Sequence, residues 1–260
     1  MKSIRFVTFL TILGLVFLGT ARAVLAQNTH LSDFQYQLDA YRQSYAEYQN
    51  FKSDYLAHPT LNNEQKALLS AKQTINAREL AWASYVLVLS DTITNAKVDF
   101  PLSNKSVADL AEIAKYHFNQ ATISASIVTR ADLTAFTKNE LKVTATHRVL
   151  LAQAQVASKI AQLIKFQNDA SLAYNVVYPK LSTRLDEISV QNGLNQVQTY
   201  SQQINDQILA LTEKTNKLQP DQYGQDTFFT NSSESLVEIR ANVNRLVNVI
   251  IDLDTNYVRH

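Results

Sequence analysis

The stretch SLAYNVVYPKLSTRLDEISVQNGL, residues 171–194, decides how this chain folds. It lies within an apolar-periodic ribbon from Asn139 to Leu218, broken only at Pro179 and at Asn192-Gly193. A proline in a helix interior costs about 3 kcal/mol and a glycine about 1 kcal/mol. The run Val176-Val177-Tyr178 ahead of Pro179 also favours extended backbone. The ribbon is therefore expected to fold back at Pro179 into two arms, with a turn at Gly193 as the alternative. Against the fold-back, Tyr174, Val177, Leu181, Leu185 and Ile188 pass through the proline nearly in phase, as in a kinked continuous helix. The choice sets the helix count at five or six.

Upstream, Thr137 and Glu140 read as a capping box that starts the ribbon. Before it, a helix over 103–135 is expected, with Ser103 as N-cap and Leu110, Ile113, Tyr116, Ile123 and Ile127 facing inward. A helix over 62–97 precedes that one, with Asn62 and Gln65 as a capping box. Its segment Leu80 to Leu89 is apolar nearly all round, so it should be covered on more than one side. A first helix over 31–57 carries Leu31, Phe34, Leu38, Tyr41, Tyr45, Tyr48 and Tyr55 at three- and four-residue steps, and His58-Pro59 ends it. Downstream, Gln219 to Ser232 reads as the longest connection, with Phe228-Phe229 tucked against the bundle. The last helix, 233–257, has the most regular stripe: Leu236, Ile239, Val243, Leu246, Ile250, Leu253 and Tyr257.

Composition agrees with long helices and few turns. The 260 residues include four Gly and four Pro, and 46% are hydrophobic. A chain rich in strands needs many more turn residues. The expected fold is all-α, an antiparallel up-and-down bundle of five to six helices with coiled-coil-like heptad seams, forming one elongated domain over 27–260.

Residues 1–26 read as an export signal. Lys2 and Arg5 form a basic start, Phe6 to Leu18 an apolar core, and Val24-Leu25-Ala26 a small-residue cleavage pattern. An uncleaved anchor is the alternative, since Ile4 to Ala21 approaches bilayer-spanning length. The mature chain is thus expected to be exported: periplasmic, cell-surface or secreted. Loss of the leader removes Lys2, Arg5 and Arg22 from 24 basic residues against 23 acidic ones, leaving a net charge of −2. Such a surface offers no footprint for nucleic acid, and membrane contact is expected only through an uncleaved leader.

No cysteine is present, which excludes disulfides, zinc-thiolate sites and cysteine nucleophiles. The five histidines are scattered, with no His-Glu-x-x-His or Glu-x-x-His pair, so neither a zincin nor a di-iron site is supported. Among them His117 alone has an acid nearby on its own helix, Glu112, and that acid is off its face. Glycine-rich phosphate loops and a Gly-x-Ser-x-Gly elbow cannot be written with so few glycines. No catalytic residue, cofactor or metal ligand is assigned from sequence, although two carboxylates converging from different helices remain conceivable.

The expected function is that of a non-enzymatic helical bundle of the cell envelope, a structural or protein-interaction module with a protein partner or a second copy of itself. Tyr41, Tyr45, Tyr48, Trp82 and Tyr85 are the candidate interaction or ligand face. The alternative is an extracytoplasmic small-ligand-binding bundle of the sensor type, with its ligand between helices near Trp82 and Tyr85.

Overall fold

A computed structural model describes residues 29–219 and 227–258. Among these residues it contains six α-helices, one 3-10 segment and no strand. The helices are α1 (Thr29–Ala57), α2 (Leu61–Ala96), α3 (Ser103–Ser124), α4 (Arg130–Val177), α5 (Ile188–Asn216) and α6 (Thr227–Tyr257), with the 3-10 segment Tyr178–Arg184 between α4 and α5. The fold is an all-helical bundle. The leader expected over 1–26 and the side chain of Phe229 lie outside the described residues, whereas Phe228 is buried.

The α-helix ends at Val177, two residues before Pro179. Proline has no N–H to continue the ladder, and here it lies in the first turn of the 3-10 segment that leads the chain into α5. The in-phase stripe does not survive the turn: Leu181 is buried, but Leu185 and Ile188 are exposed. Gly193 lies within α5, where a Cβ would stand 2.7 Å from Leu253 Cδ2. It marks a close approach of α5 to α6 and no turn.

Three starts differ from expectation, the simplest being α6, which begins at Thr227 inside the stretch read as a connection from Gln219 to Ser232. The 103–135 helix ends at Ser124, and a new one begins at Arg130, capped by a reciprocal box between Thr129 and Asp132. Thr129 Oγ1 accepts from the Asp132 N–H at 3.1 Å, and Asp132 Oδ2 accepts from the Thr129 N–H at 2.8 Å. Thr137 is therefore mid-helix, its hydroxyl donating to Leu133 O. No Gly or Pro marks the 125–129 break, and Ala, Ser and Thr on both sides blur the periodicity there. As a result Ile123 is exposed. For α2 the cap is Thr60, whose side chain accepts from the Asn63 N–H, so the helix begins one residue before Asn62. Ser103 is the first residue of α3, and its hydroxyl donates to Phe100 O within the preceding turn.

Pairing can be read from individual contacts. His30 Nδ1 lies 2.8 Å from Asp91 Oδ2 and Thr74 Oγ1 donates to Ser44 O, so α1 doubles back along α2. Asn76 donates to Ala121 O, placing the end of α3 beside the middle of α2. Helix α4, 48 residues or about 72 Å at 1.5 Å per residue, is shared by both halves of the chain. It packs on α2 and α3 towards its start and on α5 and α6 towards its end.

Its middle, from Val149 to Leu163, is buried on nearly every side, with Ala154, Ala157, Ile160 and Ala161 wholly inaccessible. Small residues on a long helix let neighbours approach on several faces at once. Tyr85, Val86, Leu89, Leu110, Ile113, Ile204, Ile239 and Leu246 complete the core, and the expected α6 stripe from Ile239 to Leu253 is buried. Within the described residues no helix is long and apolar enough to cross a membrane.

Candidate functional site

Six polar side chains meet where α2, α3 and the first half of α4 come together. Each helix supplies two: the adjacent pairs Arg78 and Glu79 from α2 and Tyr116 and His117 from α3, and Glu140 and His147, two turns apart on one face, from α4. Glu79 is wholly inaccessible. Its Oε2 accepts from His117 Nδ1 at 2.6 Å, and its Oε1 accepts from Arg78 Nη2 at 2.7 Å. The same Arg78 Nη2 reaches Glu140 Oε2 at 2.5 Å. One guanidinium thus bridges two carboxylates carried by different helices, and a histidine tethers one of them to a third helix.

Aromatic rings wall the cluster. Trp82 stacks on His117 with centroids 6.0 Å apart, and Tyr116 meets His147 edge-on at 4.7 Å. His147 Nδ1 is buried with no protein hydrogen-bond partner.

The charges adjust to this enclosure. Burial alone would push the Glu79 carboxyl up, but the His117 hydrogen bond and the Arg78 charge outweigh it and hold Glu79 below its ordinary value. At Glu140 burial wins: Arg78 offsets it only in part, the neighbouring Glu79 adds to it, and the carboxyl is pushed up. Burial, and then the proximity of His117, hold His147 below the usual histidine value. Burial would lower Arg78, but its two carboxylates outweigh this and fix it in the charged form. Two carboxylates pushed apart around one cation can exchange a proton. Here each is already occupied by Arg78 or His117, so the arrangement acts first as an ionic clasp across three helices.

The candidate face identified from sequence is divided. Trp82 lines the clasp, and Tyr85 stands beside Trp82 and Phe34 while its hydroxyl accepts from Gln155 Nε2 at 2.8 Å. Tyr41 lies within electrostatic reach of Arg78. Tyr45 and Tyr48 continue along α1 towards the α1–α2 turn, with Lys52 Nζ 5.8 Å above the Tyr48 ring. Arg78, Glu79, Glu140 and His147 were not singled out from sequence as site residues, and for His117 only Glu112, off its face, was considered as a partner. A signal existed: Glu79 follows Ile75 by four residues and precedes Trp82 by three, so a carboxylate occupies the apolar stripe of α2. His117 likewise follows Ile113 by four, and Glu140 follows Phe136 by four.

Away from the clasp, two grooves of about 450 and 490 Å³ run between the second half of α4 and α5. They meet at Ser171 and Ser201, which line both, and Trp82 lines neither. Among the described residues no group of three or more His, Cys, Asp or Glu is placed to hold a metal ion. Comparison with protein-family models, curated proteins and solved structures finds no match to this chain.

Proposed function

We propose that this protein is an exported, non-enzymatic helical bundle of the cell envelope that works as a protein-interaction or structural module, through contact with a protein partner or a second copy of itself. The observation that carries this reading is the α1–α2 hairpin. Between His30 and Ala57, α1 has no fully buried side chain, so this outer helix of the hairpin leans on α2 without entering the core. At its turn Leu56 and Leu61 stand on either side of His58-Pro59-Thr60, 70% and 72% exposed.

Two leucines this open at the end of a helical arm, next to Tyr55, offer an apolar tip of the composition that favours protein contacts. The clasp supports the same reading, because it fixes the base of the arm to α3 and α4 through bonded charges and so gives the tip a firm mount. The export leader and the heptad spacing of the apolar residues fit a module that acts through helix faces.

Sedimentation of the purified mature chain, with and without Leu56→Glu and Leu61→Glu, tests this. Reversible association at micromolar concentration, or retention on an envelope fraction, that both substitutions abolish is expected. A chain that stays monomeric at high micromolar concentration and is not retained overturns the proposal.

A further inference from the structure

The α4–α5 face carries a feature independent of the α1–α2 arm. Where α5 meets α6, Leu253 rests on Gly193 and the helices touch closely. Where α5 faces α4, polar side chains interrupt the apolar seam made by Ile164, Leu194, Val197 and Ile208. On α4 the sequence Ile164, Gln167, Ser171, Tyr174, Tyr178 steps by three and four, and on α5 the facing positions include Asn195, Gln198, Ser201 and Asn205. Side chains of this kind gain little by packing together, so the two helices stand apart and leave the grooves open.

The two grooves share Ser171 and Ser201 in their linings, and together they span α4 and the turn after it from Ile164 to Tyr178, about 21 Å at 1.5 Å per residue. Gln167, nearly buried, is held across the gap: its Nε2 donates to Asn205 Oδ1 at 2.9 Å and to Ser201 O at 3.4 Å.

The lining selects a class of occupant. No Lys or Arg lines either groove, and the one charged lining residue, Asp99, lies at the far end from the tyrosines. An anionic ligand would lose its hydration with no cation to replace it, which disfavours phosphates, nucleic acids and acidic polysaccharides. Asn, Gln and Ser side chains present donors and acceptors side by side, the pattern that matches neighbouring hydroxyl groups. Tyr174 and Tyr178 form a tilted pair 5.5 Å apart, and Tyr178 is 45% exposed, which offers a ring surface at the open end. Val197, Leu246 and Ile250 supply an apolar floor there.

We propose that the α4–α5 groove binds a linear, uncharged oligosaccharide. The amides and serines hold its hydroxyls, and Tyr178 stacks on a sugar ring at the open end. An uncharged extended peptide could use the same amides, but it gains less from the tyrosine platform.

The test is calorimetric titration of the purified protein with cellohexaose, maltohexaose and chitohexaose, with a polygalacturonate oligomer as the anionic control and a Ser/Asn-rich uncharged peptide as the competing class. At least one neutral hexasaccharide is expected to bind with a sub-millimolar Kd. Tyr178→Ala and Gln198→Ala, both at exposed positions, should each weaken it about tenfold, or 1.4 kcal/mol, without altering the thermal unfolding curve. Absence of binding by all three sugars at millimolar concentration overturns the proposal. So does equal affinity in the variants, or preference for the polygalacturonate or the peptide.

Discussion

Glu79 stands where an apolar side chain would ordinarily pack, and the chain accommodates it with two partners, Arg78 and His117. A buried ion pair adds little net stability against a well-packed apolar substitute, but removing one member leaves the other uncompensated. Glu79→Gln is therefore expected to destabilise the fold by about 3–5 kcal/mol, the range for breaking a buried pair, read as a shift in the urea midpoint at constant slope. A change below about 1 kcal/mol, the size of a surface pair, would show that the carboxylate is solvated.

The clasp also sets a pH dependence. His147 is depressed from its ordinary 6.5, so as pH falls below that value the unfolded chain takes up a proton before the folded one, and stability declines. Glu79 is depressed from 4.5, so its contribution is present above that pH and is lost as pH falls through its lower folded value. Glu140, raised from 4.5, works in the opposite direction: its ionisation penalises the folded state at higher pH, and that penalty is relieved on acidification. On acidification the histidine and Glu140 therefore oppose one another. The wild-type thermal midpoint is expected to fall less than in a Glu140→Gln variant, while His147→Phe should remove the histidine's part of the decline. An identical pH profile in wild type and both variants would contradict this.

At the scale of elements, what could be read in the sequence depended on how strongly each break is chemically marked. Pro59 and Pro179 end helices by removing a donor and displacing backbone, and both breaks were legible. The 125–129 break lacks Gly and Pro and rests on the Thr129–Asp132 box, whose pattern competes with the equally good Thr137–Glu140 pattern eight residues on. The apolar stripe of α6 was legible because its spacing has no polar interruption. The clasp was not, because its bonds join residues 38 and 62 positions apart, and a single helix shows only a misplaced charge.

Gly193 offers a test in which two effects have opposite signs. Helix propensity alone predicts that Gly193→Ala stabilises α5 by about 1 kcal/mol. Its new Cβ would meet Leu253, a buried side chain with Cδ2 at 2.7 Å and Cγ at 3.2 Å. Overpacking of this kind costs about 1–3 kcal/mol, so the substitution is expected to destabilise. A raised melting point would show that α5 and α6 are farther apart than described.

For the whole molecule, α4 joins the clasp to the α4–α5 groove through a middle stretch that every neighbouring helix covers. Ile160, wholly inaccessible, lies in that stretch. Ile160→Ala is expected to cost about 2–5 kcal/mol. Trp82, the sole tryptophan, lies at the clasp, so its fluorescence reports that end while circular dichroism reports all helices. Unfolding followed by the two probes should coincide in wild type if α4 couples both ends; two separate transitions would show that it does not.

Continuity of α4 is the claim on which the mount of the arm and the placing of the groove both depend. Because the chain has no cysteine, Ala145→Cys with Ala173→Cys introduces two unique sites for spin labels, both at exposed positions of α4. Pulsed dipolar spectroscopy of the doubly labelled protein should give one narrow distance distribution centred at about 42 Å, the span of 28 helical residues at 1.5 Å each. A distribution centred well below that, or broad and multimodal, would mean that α4 bends or breaks, and would contradict the account.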